Sequence, residues 1–236
     1  MTSFRPHVDI LPPTQKDLLP KLQWTVAAGF VLYGGTAIAL RCGHRSSVDF
    51  DFFTDQPLDR EFVFYSLRNA SVQLETLQDE RQSLTVITSA SEVKLSFFGN
   101  LLFGRVSTPA RTLDGFLAVA STLDLLATKL KVVMQRAEAR DYLDIASLLR
   151  EGVPLERGLG AARSIYGEAF SASECLRALT FFQDGDLETL APDVRAALRA
   201  AVGAASLAYP TPTVPILSKT LSEIDSPKTE RGALEL

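Results

Sequence analysis

The sequence predicts an α+β protein: a mixed β-sheet with flanking helices, followed by a C-terminal helical domain. Three observations predict it. Residues 71 to 106 alternate in the period-two manner of strands, with polar or glycine turns between the runs. Residues 116 to 151 contain neither Gly nor Pro and place apolar side chains at helical spacing. Strands and helices thus come in blocks rather than in the strict alternation of a parallel-sheet fold. The chain of 236 residues, 46% of them hydrophobic, is long enough for one large or two small domains with a real core.

Taken in order, residues 1 to 14 are expected to be extended, with Pro6, Pro12 and Pro13. Thr14 is placed to cap a helix running through Leu18, Leu19, Leu22 and Trp24 towards Ala28, with Pro20 near its first turn. Val31 to Tyr33 is a short apolar strand candidate. Gly34-Gly35 permits a sharp turn and a close backbone approach to a ligand. Thr36 suits the N-cap of a helix to Arg41, which Gly43 ends. Val48 to Phe53 reads as a strand, and Arg60 to Asn69 as a helix after the turn residues Asp55, Pro57 and Asp59. Ser71–Thr76, Ser83–Thr88, Glu92–Phe98 and Leu102–Val106 are the meander strands. Pro109 and Gly115 mark the change to helix. In the stretch from 116 to 151, two apolar stripes of different phase imply two helices with a break near Arg136 to Ala139. Beyond Gly152 the pattern stays helical, with a last helix over Asp193 to Leu207. The expected division is a first domain over 1–108, a helical domain over 109–209, and a Pro-containing tail over 210–236.

Composition narrows the function classes. The net charge of −4 argues against a whole-surface footprint for nucleic acid and leaves a local basic patch open. Cys42 and Cys175 are too few and too far apart for a disulfide framework or a zinc site. The first residues have no apolar h-region, and the most apolar stretch, 25–40, is too short to span a bilayer. No membrane partner and a cytoplasmic location are expected.

The chemistry concentrates in FVLYGGTAIALRCGHRSSVDFDFF, residues 30 to 53. On a strand, Asp49 and Asp51 share one face and Phe50 and Phe52 the other, because successive side chains alternate. The aromatic face belongs to a core. The other face presents two carboxylates about 7 Å apart along the strand. Two hard anionic ligands suit Mg²⁺, which takes one or two carboxylates plus substrate phosphates. A Gly-Gly turn before a helix N-terminus suits those phosphates. Alone, each signal also fits a solvated strand face or an ordinary turn.

GGTAIAL followed by GHRSSVDFDFF resembles the AbiEii/AbiGii toxin family of nucleotidyltransferases, within the polymerase-β-like superfamily. A second match is ATKLKVVMQRAEARDYLDIASLL: a Lys, then Arg, then Arg-Asp-x-x-Asp. The resemblance covers roughly residues 25 to 150. It implies a nucleotidyltransferase-like sheet over 1–108 and transfer of NMP from an NTP. It also implies an RNA acceptor such as a tRNA end and an antitoxin protein as partner. Asp49 and Asp51 would hold Mg²⁺. Gly34, Gly35 and Thr36 would cradle the triphosphate, with Arg45 and Ser46, and less expectedly His44, near it. Lys129 would reach the triphosphate as a point charge. Asp141 would orient that lysine or face the substrate. Arg140 and Asp144, also expected at the nucleotide-binding site, are four apart and would pair on one helix face.

One position departs from the resemblance. The superfamily projects a third carboxylate from a neighbouring strand, and in EVKLSFF the corresponding residue is Ser96. Glu92 and Lys94 share its face, but Glu92 is about 13 Å away along the strand. Two other readings therefore stay open: a non-catalytic nucleotide- or RNA-binding member, and a phosphotransferase using the same two aspartates.

Overall fold

The computed structural model describes residues 2–89, 92–102 and 104–207; the expected tail at 210–236 lies outside them. The strands are β1 (Ser3–Phe4), β2 (Val31–Tyr33), β3 (Phe50–Phe53), β4 (Leu74–Glu80), β5 (Ser83–Thr88), β6 (Lys94–Phe98), β7 (Ala110–Thr112) and β8 (Ala118–Val119). They form one mixed sheet in the order β1-β7-β8-β2-β3-β6-β5-β4. The central β3 pairs antiparallel with β2 and parallel with β6. The α-helices among the described residues are α1 (Pro13–Leu18), α2 (Trp24–Ala27), α3 (Gly34–Cys42), α4 (Arg60–Asn69), α5 (Thr122–Val132), α6 (Ala139–Arg150), α7 (Leu155–Tyr166), α8 (Ala172–Ala178) and α9 (Pro192–Leu207). The α+β class and the mixed sheet with flanking helices are as the sequence predicts. No described helix is long and apolar enough to cross a membrane.

The alternation in β3 sets the layering. Phe50 and Phe52 are fully buried, and Phe97 of β6 stacks on Phe52 with ring centroids 5.2 Å apart. Trp24 of α2 stacks on Phe97 at 5.7 Å, and Phe30 closes edge-on against both Phe52 and Phe97. Burying each such ring contributes roughly 1.5–3 kcal/mol. This aromatic layer fixes the register, since a one-residue slip of β3 would exchange phenylalanines for aspartates. Asp51 therefore faces the other side, where α3 and the helices after β8 lie.

Several element boundaries differ from expectation, each for a local reason. The N-terminal helix is interrupted by a 3₁₀ turn over Leu19–Leu22. Pro20, which has no backbone N–H to continue an α-ladder, stands in that turn. Leu102–Val106 forms no strand among its described residues. Instead, the backbone N–H groups of Val106 and Ser107 donate to the buried Asp124 carboxylate at 2.8 and 3.2 Å. The strand expected at Ser71 starts at Leu74, because Ser71 sits at φ 57° in the turn after α4. Residues 118–119 are strand rather than helix, and α5 begins only after Ser121, whose hydroxyl accepts from the Asp124 N–H. Two strands past residue 108, β7 and β8, pair into the sheet. The long helical stretch divides between Val132 and Ala139.

Candidate active site

β2 delivers the chain to Gly34, where α3 begins. Gly34 is in the left-handed region at φ +73°, and a Cβ there would run into Asp51 Oδ2 and stand 3.3 Å from Asp51 Cγ. Asp51 thus packs its carboxylate against the first turn of α3, where free N–H groups favour an anion. The sharp turn at Gly34-Gly35 is the expected one, but Thr36 is not the N-cap. The helix already starts at Gly34, and the buried Thr36 hydroxyl donates to the Asp49 carbonyl and shares a hydrogen bond with the Ser47 hydroxyl (2.9 Å). Thr36 thereby ties α3 to the segment that leads into β3.

A cleft of about 710 Å³ opens over this face of the sheet. Gly34, Gly35, Arg45, Ser46, Asp49, Asp51, Lys129 and Arg140 line it. Thr36, Asp141 and Asp144, also expected at the site, do not; they stand behind its wall. Six cationic side chains line the cleft, Arg45, Lys94, Lys129, Lys131, Arg136 and Arg140, against the carboxylates Asp49 and Asp51. On a chain of net charge −4, this is the local basic patch that composition left open. Tyr33 and Phe53 also line the cleft, stacked with centroids 4.8 Å apart.

Behind the wall, two buried carboxylates of α6 organise the cations. Asp141 accepts from Lys129 Nζ at 2.6 Å and from Arg136 Nε and Nη2 at 2.8 and 3.2 Å. Asp144 accepts from Arg45 Nε and Nη2 at 2.7 and 2.9 Å, from His44 Nε2 at 2.8 Å, and from Lys129 Nζ at 2.7 Å. Lys129 is therefore clamped between the two. Burial pushes both carboxyls upward, but their partners outweigh it and hold them below the usual carboxylate range. For Asp141 those partners are Arg136 and Lys129; for Asp144 they are His44, Arg45 and Lys129. The expected Arg140–Asp144 pair does not form. Arg140 points outward to Glu138 Oε2 at 2.6 Å, whereas Asp144 turns inward to the loop after α3. His44 does not line the cleft either; its ring is bonded to Asp144.

The carboxylate pair is set differently. Burial and, next, the charge of Asp49 raise the Asp51 carboxyl above its ordinary range; Lys94, Lys129 and Arg136 oppose this. Lys94 Nζ stands 3.0 Å from Asp49 Oδ2. Ser96 is the register partner of Asp51 across the parallel β3–β6 pair and is buried, so no acid faces Asp51 from that position. Lys94 and Arg136 are cleft residues not singled out from the sequence as site residues. Lys94 was legible only as sharing a strand face with Ser96, and Arg136 only as part of the downstream motif.

The profile of the family described as "Nucleotidyl transferase AbiEii toxin, Type IV TA system" matches residues 23–214. The chain belongs to that family. As an AbiEii member it is a nucleotidyltransferase of the toxin–antitoxin class, and the match contains every residue of the cleft and of its wall. It is 30% identical over 143 residues to an uncharacterized protein of Aquifex aeolicus, covering 60% of this chain and 68% of that one. Among solved structures, the AbiEii chain is similar to an antigenic nucleotidyltransferase-like protein from Paracoccidioides brasiliensis. That match has 18% identity and a TM-score of 0.46, over 78% of this chain and 93% of the other. It is also similar to MenT4, a nucleotidyltransferase toxin from Mycobacterium tuberculosis, with 19% identity and a TM-score of 0.39 over 83% and 91% of the two chains.

Proposed function

We propose that this protein transfers NMP from an NTP to an RNA hydroxyl in a Mg²⁺-dependent reaction, with an antitoxin protein as its natural restraint. The observation that carries the reading is the juxtaposition of Asp49 and Asp51 with a cation-lined cleft at the N-terminus of α3. Cations in that number suit a polyanion, and the volume suits a nucleotide. Partly exposed Phe53, backed by the buried Tyr33, gives the cleft an aromatic surface against which a base can lie.

The donor set fits magnesium. Asp49 and Asp51 are hard oxygen ligands, and Asp51 is a half-buried carboxyl whose ionised form needs a cation beside it. Among the described residues no group of three or more His, Cys, Asp or Glu forms a metal site, so phosphate oxygens and water would complete the sphere. Bound there, Mg²⁺ would neutralise charge on the triphosphate and align it for attack.

The chain's own residues do the rest. The Gly34-Gly35 backbone lets phosphates approach the first turn of α3. Arg45, Lys129 and Arg136 face the cleft from fixed positions, because buried Asp141 and Asp144 hold them. Preorganised cations of this kind stabilise charge that develops in transfer without rearranging. The acceptor oxygen forms a bond to the α-phosphorus while the bond to pyrophosphate breaks, and the acceptor proton must leave. Ser96, opposite Asp51, offers no carboxylate to take it.

That same register favours one competing reading, a non-catalytic nucleotide- or RNA-binding protein. Incubation with total RNA and either α-³²P or γ-³²P NTP separates the readings. Label from the α position supports nucleotidyl transfer, label from the γ position supports phosphotransfer, and neither supports binding alone.

A further inference from the structure

The cations of the cleft differ in what they are bound to. Lys129 and Arg136 are held by buried Asp141, and Arg45 by buried Asp144. Arg140 is drawn outward to Glu138, and Lys131 to the Ala169 carbonyl. Lys94 instead pairs with a cleft carboxylate, Asp49, and both partners are partly exposed at 40% and 34%. It stands on β6 two residues before Ser96, on the strand face that carries Asp51 in register. Its charge also acts on Asp51.

We propose that Lys94 is a resident counter-ion of the Asp49/Asp51 pair. It holds Asp49 in the nucleotide-free enzyme, gives up that carboxylate to the divalent cation when the metal–triphosphate complex arrives, and moves its ammonium onto a phosphate oxygen. This rests on reading Asp49 and Asp51 as the metal ligands. Two neighbouring carboxylates, one of them half-buried, repel each other when no cation stands between them. Lysine suits an exchangeable counter-ion because its charge sits on a flexible stem and can swing without backbone movement. A partly exposed ion pair is weak, so the exchange is easy. The clamped Lys129 has no such freedom, since leaving its place would strip a cation from two buried carboxylates.

The consequence is coupling. Lys94 competes with free metal for Asp49 but assists the metal–nucleotide complex. Removing its charge should therefore shift the two affinities in opposite directions, which a lysine with only a structural role would not do. The test uses Mn²⁺ alone, followed by electron paramagnetic resonance, and a non-hydrolysable α,β-methylene NTP with Mg²⁺, followed by calorimetry. Wild type, Lys94→Met, Lys94→Arg and Asp51→Asn are compared, with circular dichroism as the check on fold.

For Lys94→Met we expect Mn²⁺ binding tighter by about two- to fivefold and analogue binding weaker by a similar factor, the range of a partly exposed ion pair. Lys94→Arg should stay near wild type on both. Unchanged or weaker Mn²⁺ binding in Lys94→Met, with Mn²⁺ binding lost in Asp51→Asn, overturns the counter-ion and leaves the metal site standing. Mn²⁺ binding unchanged in Asp51→Asn overturns the metal reading, and the counter-ion with it.

Discussion

The carboxylate of Asp51 occupies the space in which a side chain at Gly34 would begin. One residue therefore meets two demands: a left-handed backbone at φ +73° and room for an acid against the first turn of α3. We predict that Gly34→Ala costs about 1–3 kcal/mol, from the left-handed penalty together with the displaced carboxylate. It should also weaken Mg²⁺-dependent nucleotide binding. Urea denaturation and calorimetry check both; wild-type values on each would show that the close approach has no function.

Gly35 is a different case. A Cβ there would meet Arg45 Nη2 at 2.6 Å and Ser47 Oγ at 3.0 Å. These are side-chain atoms, but Arg45 is pinned by two hydrogen bonds to Asp144 and cannot retreat freely. Gly35→Val should abolish nucleotide binding by dislodging Arg45 and closing the phosphate turn. Full nucleotide affinity in this variant would mean the pair of glycines is merely a turn.

The Asp144 cluster predicts a pH dependence of stability. Burial raises the Asp144 carboxyl, but His44, Arg45 and Lys129 lower it more, and the net shift is well below the ordinary carboxylate value. A carboxyl with a depressed folded-state pKa stabilises the fold above the unfolded value of about 3.9. That contribution is lost as pH falls below it towards the folded-state value. Asp144→Asn should cost about 3–5 kcal/mol at neutral pH, because it leaves buried cations without their partner. Its stability should then fall less steeply than that of wild type in acid. Denaturant midpoints measured from neutral pH down to acid test this; parallel curves for the two proteins would refute it.

Ser96 offers a gain-of-function test. It is buried and in register with Asp51. An aspartate there would crowd a third negative charge beside a carboxyl already raised by burial and by Asp49. We expect Ser96→Asp to lower stability without magnesium, to recover it with magnesium, and to raise the transfer rate at neutral pH. General-base assistance bounds the gain at about 10²–10⁴. An unchanged rate with no magnesium-dependent rise in Tm would show that position 96 is not the place of a third ligand.

How much of this was legible in the sequence depended on the range of the interaction. The alternation of Phe50 and Phe52 with Asp51 is local, and so is the Gly34-Gly35 turn, so both could be read directly; Asp49, expected on the same strand, stands just before β3 instead. The division of the helical stretch followed from its change of apolar phase. The Arg140–Asp144 pair was misread because spacing on one helix reports only neighbours on that helix. Asp144 is instead taken by His44 and Arg45 from the loop after α3, and Arg140 by Glu138. The absence of a strand among the described residues of 102–106 has the same kind of cause, since Asp124 of α5 draws the amides of Val106 and Ser107. Thr36 has the composition of an N-cap but lies inside the helix, bonded to Ser47 and Asp49.

The central claim is that Asp49 and Asp51 hold the metal for nucleotidyl transfer, and one measurement addresses it most directly. Wild type, Asp49→Asn and Asp51→Asn are each incubated with total RNA, each α-³²P ribonucleoside triphosphate in turn, and either Mg²⁺ or EDTA. The account predicts α-label in RNA with wild type and Mg²⁺, weak for want of a third acid but real. It predicts loss of that label with EDTA and in both aspartate variants, whose circular dichroism stays native. Undiminished labelling by Asp51→Asn, or no α-label from wild type with any triphosphate, would contradict it.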